Sequence, residues 1–166
     1  MRARRLMTSL SLVGILAVSG IAASGCAIVE TPRPIWWNAN VDLGAEFKFA
    51  MDIKNSRGFW GQREITLHGN LTDKARWWSQ QMASGACHPG KICHSHLTYG
   101  IHGVVYSWSL IGENVGVGGN LQALWDAFMN SPPHRANVLD SRWDYVGVGV
   151  IRSGNTYYAT MVFMRG

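Results

Sequence analysis

The chain predicts an α+β domain, and three observations predict it. Apolar residues recur at helical spacing over segments beginning near Asp42, Leu71 and Asn120. The C-terminal part alternates as strands, Tyr145 to Ile151 and then Thr156 to Met164, about the turn Arg152-Ser153-Gly154-Asn155. Hydrophobic residues make up 47% of the 166 and charged residues 15%, enough to bury a real core. Helix, helix, strand, helix and then hairpin implies a mainly antiparallel sheet covered by helices.

The elements follow in chain order. Residues 1–25 read as an export signal: Arg2, Arg4 and Arg5 precede an apolar run from about Leu6, and small residues follow. Ala23-Ser24-Gly25-Cys26 resembles a bacterial lipobox, in which Cys26 takes the lipid and becomes the new N-terminus; the alternative is an ordinary secretory signal with an unmodified Cys26. Removing the leader takes three of the positive charges from a formal net charge of +5 and leaves +2. That balance, with no Lys/Arg stripe, argues against nucleic acid as a partner. Residues 26–41, with Pro32, Pro34 and the pair Trp36-Trp37, read as a tether or as a segment that packs on the domain. The domain proper is expected over 42–166.

Asp42 starts the first helix, with Phe47, Ala50, Met51 and Ile53 as its apolar stripe and Gly58 near its end. A connection from Phe59 to Gly69 leads to the second helix, Leu71 to Ala83. There Leu71, Ala75, Trp78 and Met82 share a face, Asn70 or Thr72 caps the start and Gly85 ends it. Cys87 and Cys93 flank Pro-Gly, which turns the chain and can bring the sulfurs together; outside the cytoplasm a disulfide is expected, with a zinc site at Cys87, Cys93 and a His as the alternative. Ile101 to Trp108 reads as a short strand and Gly112 to Gly119 as a Gly-rich loop. Asn120 caps the third helix, whose Leu121, Leu124, Trp125 and Phe128 give the i, i+3, i+4, i+7 face. Pro132 stops it, and Ser131-Pro132 opens a short further helix through Leu139.

Taken together, Asn55-Ser56-Arg57, the Leu71, Ala75, Trp78, Ala83 helix, His94-Ser95, Gly112-Glu113-Asn114, the run Phe128-Met-Asn-Ser-Pro-Pro-His134-Arg-Ala-Asn137-Val-Leu139 and the hairpin with Gly147-Val-Gly149-Val resemble the CAP superfamily. The name stands for the cysteine-rich secretory, antigen 5 and pathogenesis-related-1 domains, here in the bacterial SCP-like form. The resemblance covers roughly Asp42 to Arg165. It implies a three-layer α-β-α sandwich with a central antiparallel sheet. It also implies a cleft lined by two His and acidic residues that in some members holds a divalent metal, which carries over to His94, Glu113 and His134. A further carboxylate of many eukaryotic members is replaced by Asn130-Ser131.

Read as chemistry, His94 and His134 can ligate zinc or magnesium and Glu113 can assist a bound water, the pattern of a metal-assisted hydrolase or peptidase with Glu113 as the candidate catalytic residue. The bland alternative gives Glu113 backbone N–H bonds from the Gly-rich turn and His134 a carbonyl partner. His96 rivals His94, because alternate residues of an extended segment share a side, and His88 lies nearby. Ser131 is read as a helix cap, Asn137 as bonded to local backbone and Arg135 as a solvated or cleft-rim cation. No defined nucleophile or oxyanion hole accompanies the site. The expected function is therefore an envelope-anchored or secreted domain that binds a lipid, cell-wall or protein ligand through this cleft, more a binder than a catalyst, held at the membrane by a lipidated Cys26. A structural envelope protein with a vestigial site is the second alternative.

Overall fold

The structure, a computed structural model, describes residues 40–87, 91–97 and 108–166. The expected signal, lipobox and nearly all of the tether lie outside the described residues, as do His88 and all of the expected Ile101–Trp108 strand except Trp108. No helix among the described residues is long and apolar enough to cross a membrane. The elements are α1 (Leu43–Phe59), β1 (Thr66–Leu67), α2 (Gly69–Ala83), β2 (Leu110–Gly118), α3 (Leu121–Asn130), α4 (Pro132–Leu139), β3 (Tyr145–Ser153) and β4 (Thr156–Arg165).

The strands form one sheet in the order β1-β3-β4-β2. β3 and β4 are the expected hairpin, turned at Gly154, whose φ of 58° is one that L side chains rarely adopt. β2 runs antiparallel to β4 along its whole length. The short β1 pairs with β3 in parallel, so the sheet is mixed and, as expected, mainly antiparallel. The alternation of β3 and β4 sends side chains to two helical layers. Val146, Val148, Val150, Ala159, Met161 and Phe163 pack with Phe49, Ile53, Leu124, Trp125 and Phe128 of α1 and α3, and with Val138 of α4. Val162 and Met164 pack on the other face against Leu71 and Ala75 of α2. The three-layer α+β sandwich is what the sequence predicts.

Several local expectations change. Gly112 to Gly119 is not a loop; most of it is β2. Its glycines answer to the layer above: a Cβ on Gly116 would stand 2.5 Å from Phe128 Cζ and 2.9 Å from Leu124 Cδ1, and one on Gly112 would press on the Trp143 ring. On α1 the core face is Ala45, Phe49, Ala50 and Ile53, whereas Phe47 and Met51 are exposed. Apolar residues lie on more than one side of this helix, so spacing alone finds Ala50 and Ile53 but misplaces Phe47 and Met51. The N-cap of α2 is His68, without a side-chain bond, in place of Asn70 or Thr72; Ser131 likewise takes the α4 N-cap position without one. Asn120 caps α3 as expected, accepting from the N–H of Ala123, and Asp42, where the first helix was expected to start, caps α1 by accepting from the N–H of Ala45.

Three polar ties hold the layers in register. Buried Arg57 donates to Val138 O (2.9 Å) and Asp140 O (2.8 Å) at the end of α4 and to Arg63 O. Glu46 of α1 takes a bidentate pair from Arg76 of α2 at 2.7 and 2.5 Å. The last residues of the expected tether are part of the domain: Asn40 O accepts from Arg152 N, and Val41 bridges Ile151.

Candidate functional site

β2 positions the candidate site. It is one edge of the sheet among the described residues, and its successive side chains point to opposite faces. Glu113 lies on the α2 side, in one row with Val162 and Gly147. Asn114 lies on the α4 side. Each holds the backbone of a segment that carries a histidine.

On the α2 side, Glu113 is buried and both its carboxylate oxygens accept hydrogen bonds. Oε1 takes the His94 Nδ1 bond (2.9 Å) and the Ser95 N–H (2.8 Å), and Oε2 accepts the Ser95 hydroxyl at 2.5 Å. The backbone donor is thus Ser95, in place of the expected Gly-rich turn. An ionised carboxylate only accepts, so the His94 Nδ1 carries the hydrogen. In the neutral ring Nε2 is then an acceptor, on the far side of a side chain that remains 60% exposed. Glu113 bonds His94 and not its rival His96, whose carbonyl accepts from Lys74. The same segment has two further anchors. Cys87 and Cys93 form the expected disulfide, which rules out the zinc alternative for these sulfurs. Trp78 Nε1 donates to Cys93 O at 2.8 Å.

On the other side, Asn114 donates to His134 O (2.9 Å) and accepts from Asn137 Nδ2 (2.9 Å), which also reaches Glu113 O. Trp143 Nε1 closes the set on Asn137 O. Asn137 therefore bonds distant β2, not local backbone as expected. His134 sits edge-on to Phe128, with ring centroids 5.3 Å apart. Burial first, and the charge of a protonated His94 second, hold the His134 imidazole below the ordinary histidine value. His134 thus lies within electrostatic reach of His94. Arg135, expected as a solvated or cleft-rim cation, lies over the Trp60 ring at 4.7 Å from its centroid.

The sequence reading did not single out Lys74 or Asn114. Lys74 is buried and donates to Ser95 Oγ (3.2 Å) and His96 O (3.1 Å). Its signal was present: a Lys three residues after Leu71, within the turn that also presents Ala75 and Trp78 to the interior, is a charge on a buried face. The expected divalent metal can be tested against these donors. Among the described residues no group of three or more His, Cys, Asp and Glu side chains is placed to hold an ion. Glu113 spends both oxygens on protein donors, and nitrogen donors alone do not suit magnesium. The described residues do not fit a resident centre with three protein donors.

The sequence model of the CAP family, described as the cysteine-rich secretory protein family, matches residues 60–164. Among solved structures, an outer surface protein of Borrelia burgdorferi has a TM-score of 0.66 at 16% identity, over 76% of this chain and 97% of that one. An extracellular protein containing an SCP domain from Bacillus anthracis has a TM-score of 0.62 at 19% identity, over 74% of this chain and 41% of that one. A cysteine-rich secretory protein from Staphylococcus aureus has a TM-score of 0.63 at 20% identity, over 82% and 42%. The chain thus spans less than half of the Bacillus and Staphylococcus chains. At these identities the likeness carries the fold. No curated protein sequence matches the chain.

Proposed function

The chain belongs to the cysteine-rich secretory protein (CAP) family, and on that premise we propose that it is an exported binding domain whose ligand is held beside β2 by His94 and His134. The observation that carries this reading is the state of His94. One ring nitrogen is fixed to a buried carboxylate, and the other is left as an acceptor on an exposed side chain. A second imidazole, His134, whose pKa burial lowers, lies in its electrostatic reach. Neutral imidazoles suit hydroxyl and amide groups, the chemistry of a glycan or peptide of the cell wall. Glu113 serves as the orienting group and not as a general base, because its lone pairs already accept protein donors. This argues for binding over metal-assisted hydrolysis.

Export rests on the leader and on the Cys87–Cys93 disulfide, which belongs to oxidising compartments. The outer surface and extracellular proteins among the similar structures support the same direction. Attachment through a lipidated Cys26 would keep the domain at a membrane surface. Binding of the full chain to isolated peptidoglycan sacculi, with phospholipid vesicles as the comparison, tests the reading. His94→Ala and His134→Ala should each lower retention on sacculi at least tenfold; retention at the level of the unsubstituted chain would refute the assignment. Cys26→Ser should move the protein from the membrane to the soluble fraction, and unchanged fractionation would refute the anchor.

A further inference from the structure

The His94 segment is held by a hydrogen-bonded chain that runs into the protein and ends on a buried cation. Lys74 Nζ donates to Ser95 Oγ at 3.2 Å, Ser95 Oγ donates to Glu113 Oε2 at 2.5 Å, and Glu113 Oε1 accepts from His94 Nδ1 at 2.9 Å. Lys74, Ser95 and Glu113 are all buried, at 3%, 8% and 5% exposure. Only the last ring of the chain reaches solvent.

A buried carboxylate is expensive unless it is paired and hydrogen-bonded. Glu113 has three hydrogen-bond donors, and the balancing charge comes from Lys74 through the Ser95 hydroxyl. We propose that Lys74 is the positioning residue of this site: through Ser95 it keeps Glu113 an acceptor, and so keeps His94 in the tautomer with Nδ1–H inward and a basic Nε2 outward. The inference rests on the reading of His94 as the ligand-binding group and adds what controls it. The electrostatics agree with the geometry. Burial holds the Lys74 ammonium below the usual lysine range, and the facing Glu113 charge pulls it back up.

The same chain assigns Ser95. Its hydrogen is donated to a carboxylate and its lone pair receives Lys74, so it is a bridge and not a nucleophile. Without the ammonium, Glu113 is a buried charge lacking its balancing cation. It then takes up a proton and turns from acceptor to donor. A carboxyl that donates to His94 Nδ1 favours the opposite tautomer, with Nε2–H outward, and the face offered to a ligand changes from acceptor to donor.

Nitrogen NMR of the full chain, labelled with 15N at histidine, reads this directly. His94 is assigned by the signals lost in His94→Gln, and spectra are taken where the ring is neutral. In the unsubstituted chain Nε2 should resonate as the unprotonated nitrogen and Nδ1 as the protonated one. In Lys74→Met the two resonances should move toward each other or exchange places. Ser95→Ala cuts the bridge while keeping the backbone N–H bond to Glu113, so it should shift them the same way by less. It decides the question if Lys74→Met does not fold. Unmoved nitrogen shifts in a folded Lys74→Met or Ser95→Ala protein would overturn the proposal. The two readings fail separately. Unmoved tautomers with binding lost in His94→Ala sink the role of Lys74 alone, and shifted tautomers with undiminished sacculus binding by His94→Ala sink the ligand reading alone.

Discussion

Replacing Gly147 by Ala should unseat α2. Gly147 lies on the strand face turned to α2, and a Cβ there would stand closer than 3.0 Å to the main chain of Leu71 and Thr72. Gly149 meets the main chain at Ala75 and Arg76 in the same way. A helix backbone cannot turn aside as a side chain can, so relief requires α2 to retreat by on the order of 1 Å, a gap that forfeits roughly a quarter to a half of the dispersion energy at the contact. The retreat loosens Leu71 and Ala75 from Val162 and Met164, and it stretches the Ser79 Oγ contacts to Gly149 O (2.9 Å) and Thr160 Oγ1 (2.8 Å). Overpacking typically costs about 1–3 kcal/mol, and a backbone clash belongs at or above the top of that range. About 3 kcal/mol corresponds to a fall in Tm of roughly 10 °C for a domain of this size. Thermal melting by far-UV circular dichroism, with urea midpoints beside it, measures the loss. Gly69→Ala, where nothing lies within 4 Å, is the control and should be nearly neutral. The double variant Gly147→Ala/Gly149→Ala should cost less than the sum of the singles, because one helix displacement relieves both clashes. A Gly147→Ala protein that melts within about 2 °C of the original would refute the reasoning.

Three further outcomes are expected. Asn114→Ala should cost about 2–3 kcal/mol in urea denaturation, because His134 O and the Asn137 amide both lose a partner at a position with 0% exposure; a loss below about 0.5 kcal/mol would contradict it. Reducing the Cys87–Cys93 bridge, or Cys87→Ala with Cys93→Ala, should cost about 2 kcal/mol, since the ring is short, and melts with and without reductant measure it. Folding stability should fall with acidity just below pH 6.5. The folded His134 binds its proton less readily than the unfolded chain does, so stability is full above the ordinary value of 6.5, declines as pH drops below it and levels off once the folded group is protonated too. His134→Asn should flatten that part of the profile, and an unchanged slope would count against the shift.

What the sequence disclosed follows the range of the forces involved. α3 was legible because its cap at Asn120 and its stripe through Phe128 are local. The hairpin was legible because two strands alternate about a tight turn. β2 was misread because its glycines suggested a loop, while the reason for them lies in Phe128, Leu124 and Trp143, which arrive from later in the chain. The site divided along the same line. Glu113 and the two histidines stood out as residue types, but their use depended on long-range partners. Ser95 reaches the carboxylate from 18 positions upstream, Lys74 reaches Ser95 from 39 positions upstream of Glu113, and Asn137 reaches the Glu113 backbone carbonyl from 24 positions downstream. With those partners in place the Glu113 carboxylate accepts from the segment that carries His94.

The guanidinium of Arg57 bears on where the chain can be cut. The stretch shared with the family begins at residue 60, which invites an expression fragment starting there. Such a fragment discards α1 and leaves the carbonyls of Arg63, Val138 and Asp140 without the donor that ties them together. It also loses Glu46, the partner of Arg76 on the opposite layer. The contacts of the domain reach at least to Asn40, whose carbonyl accepts from Arg152, so a fragment starting at residue 60 should be less stable than one starting at residue 40.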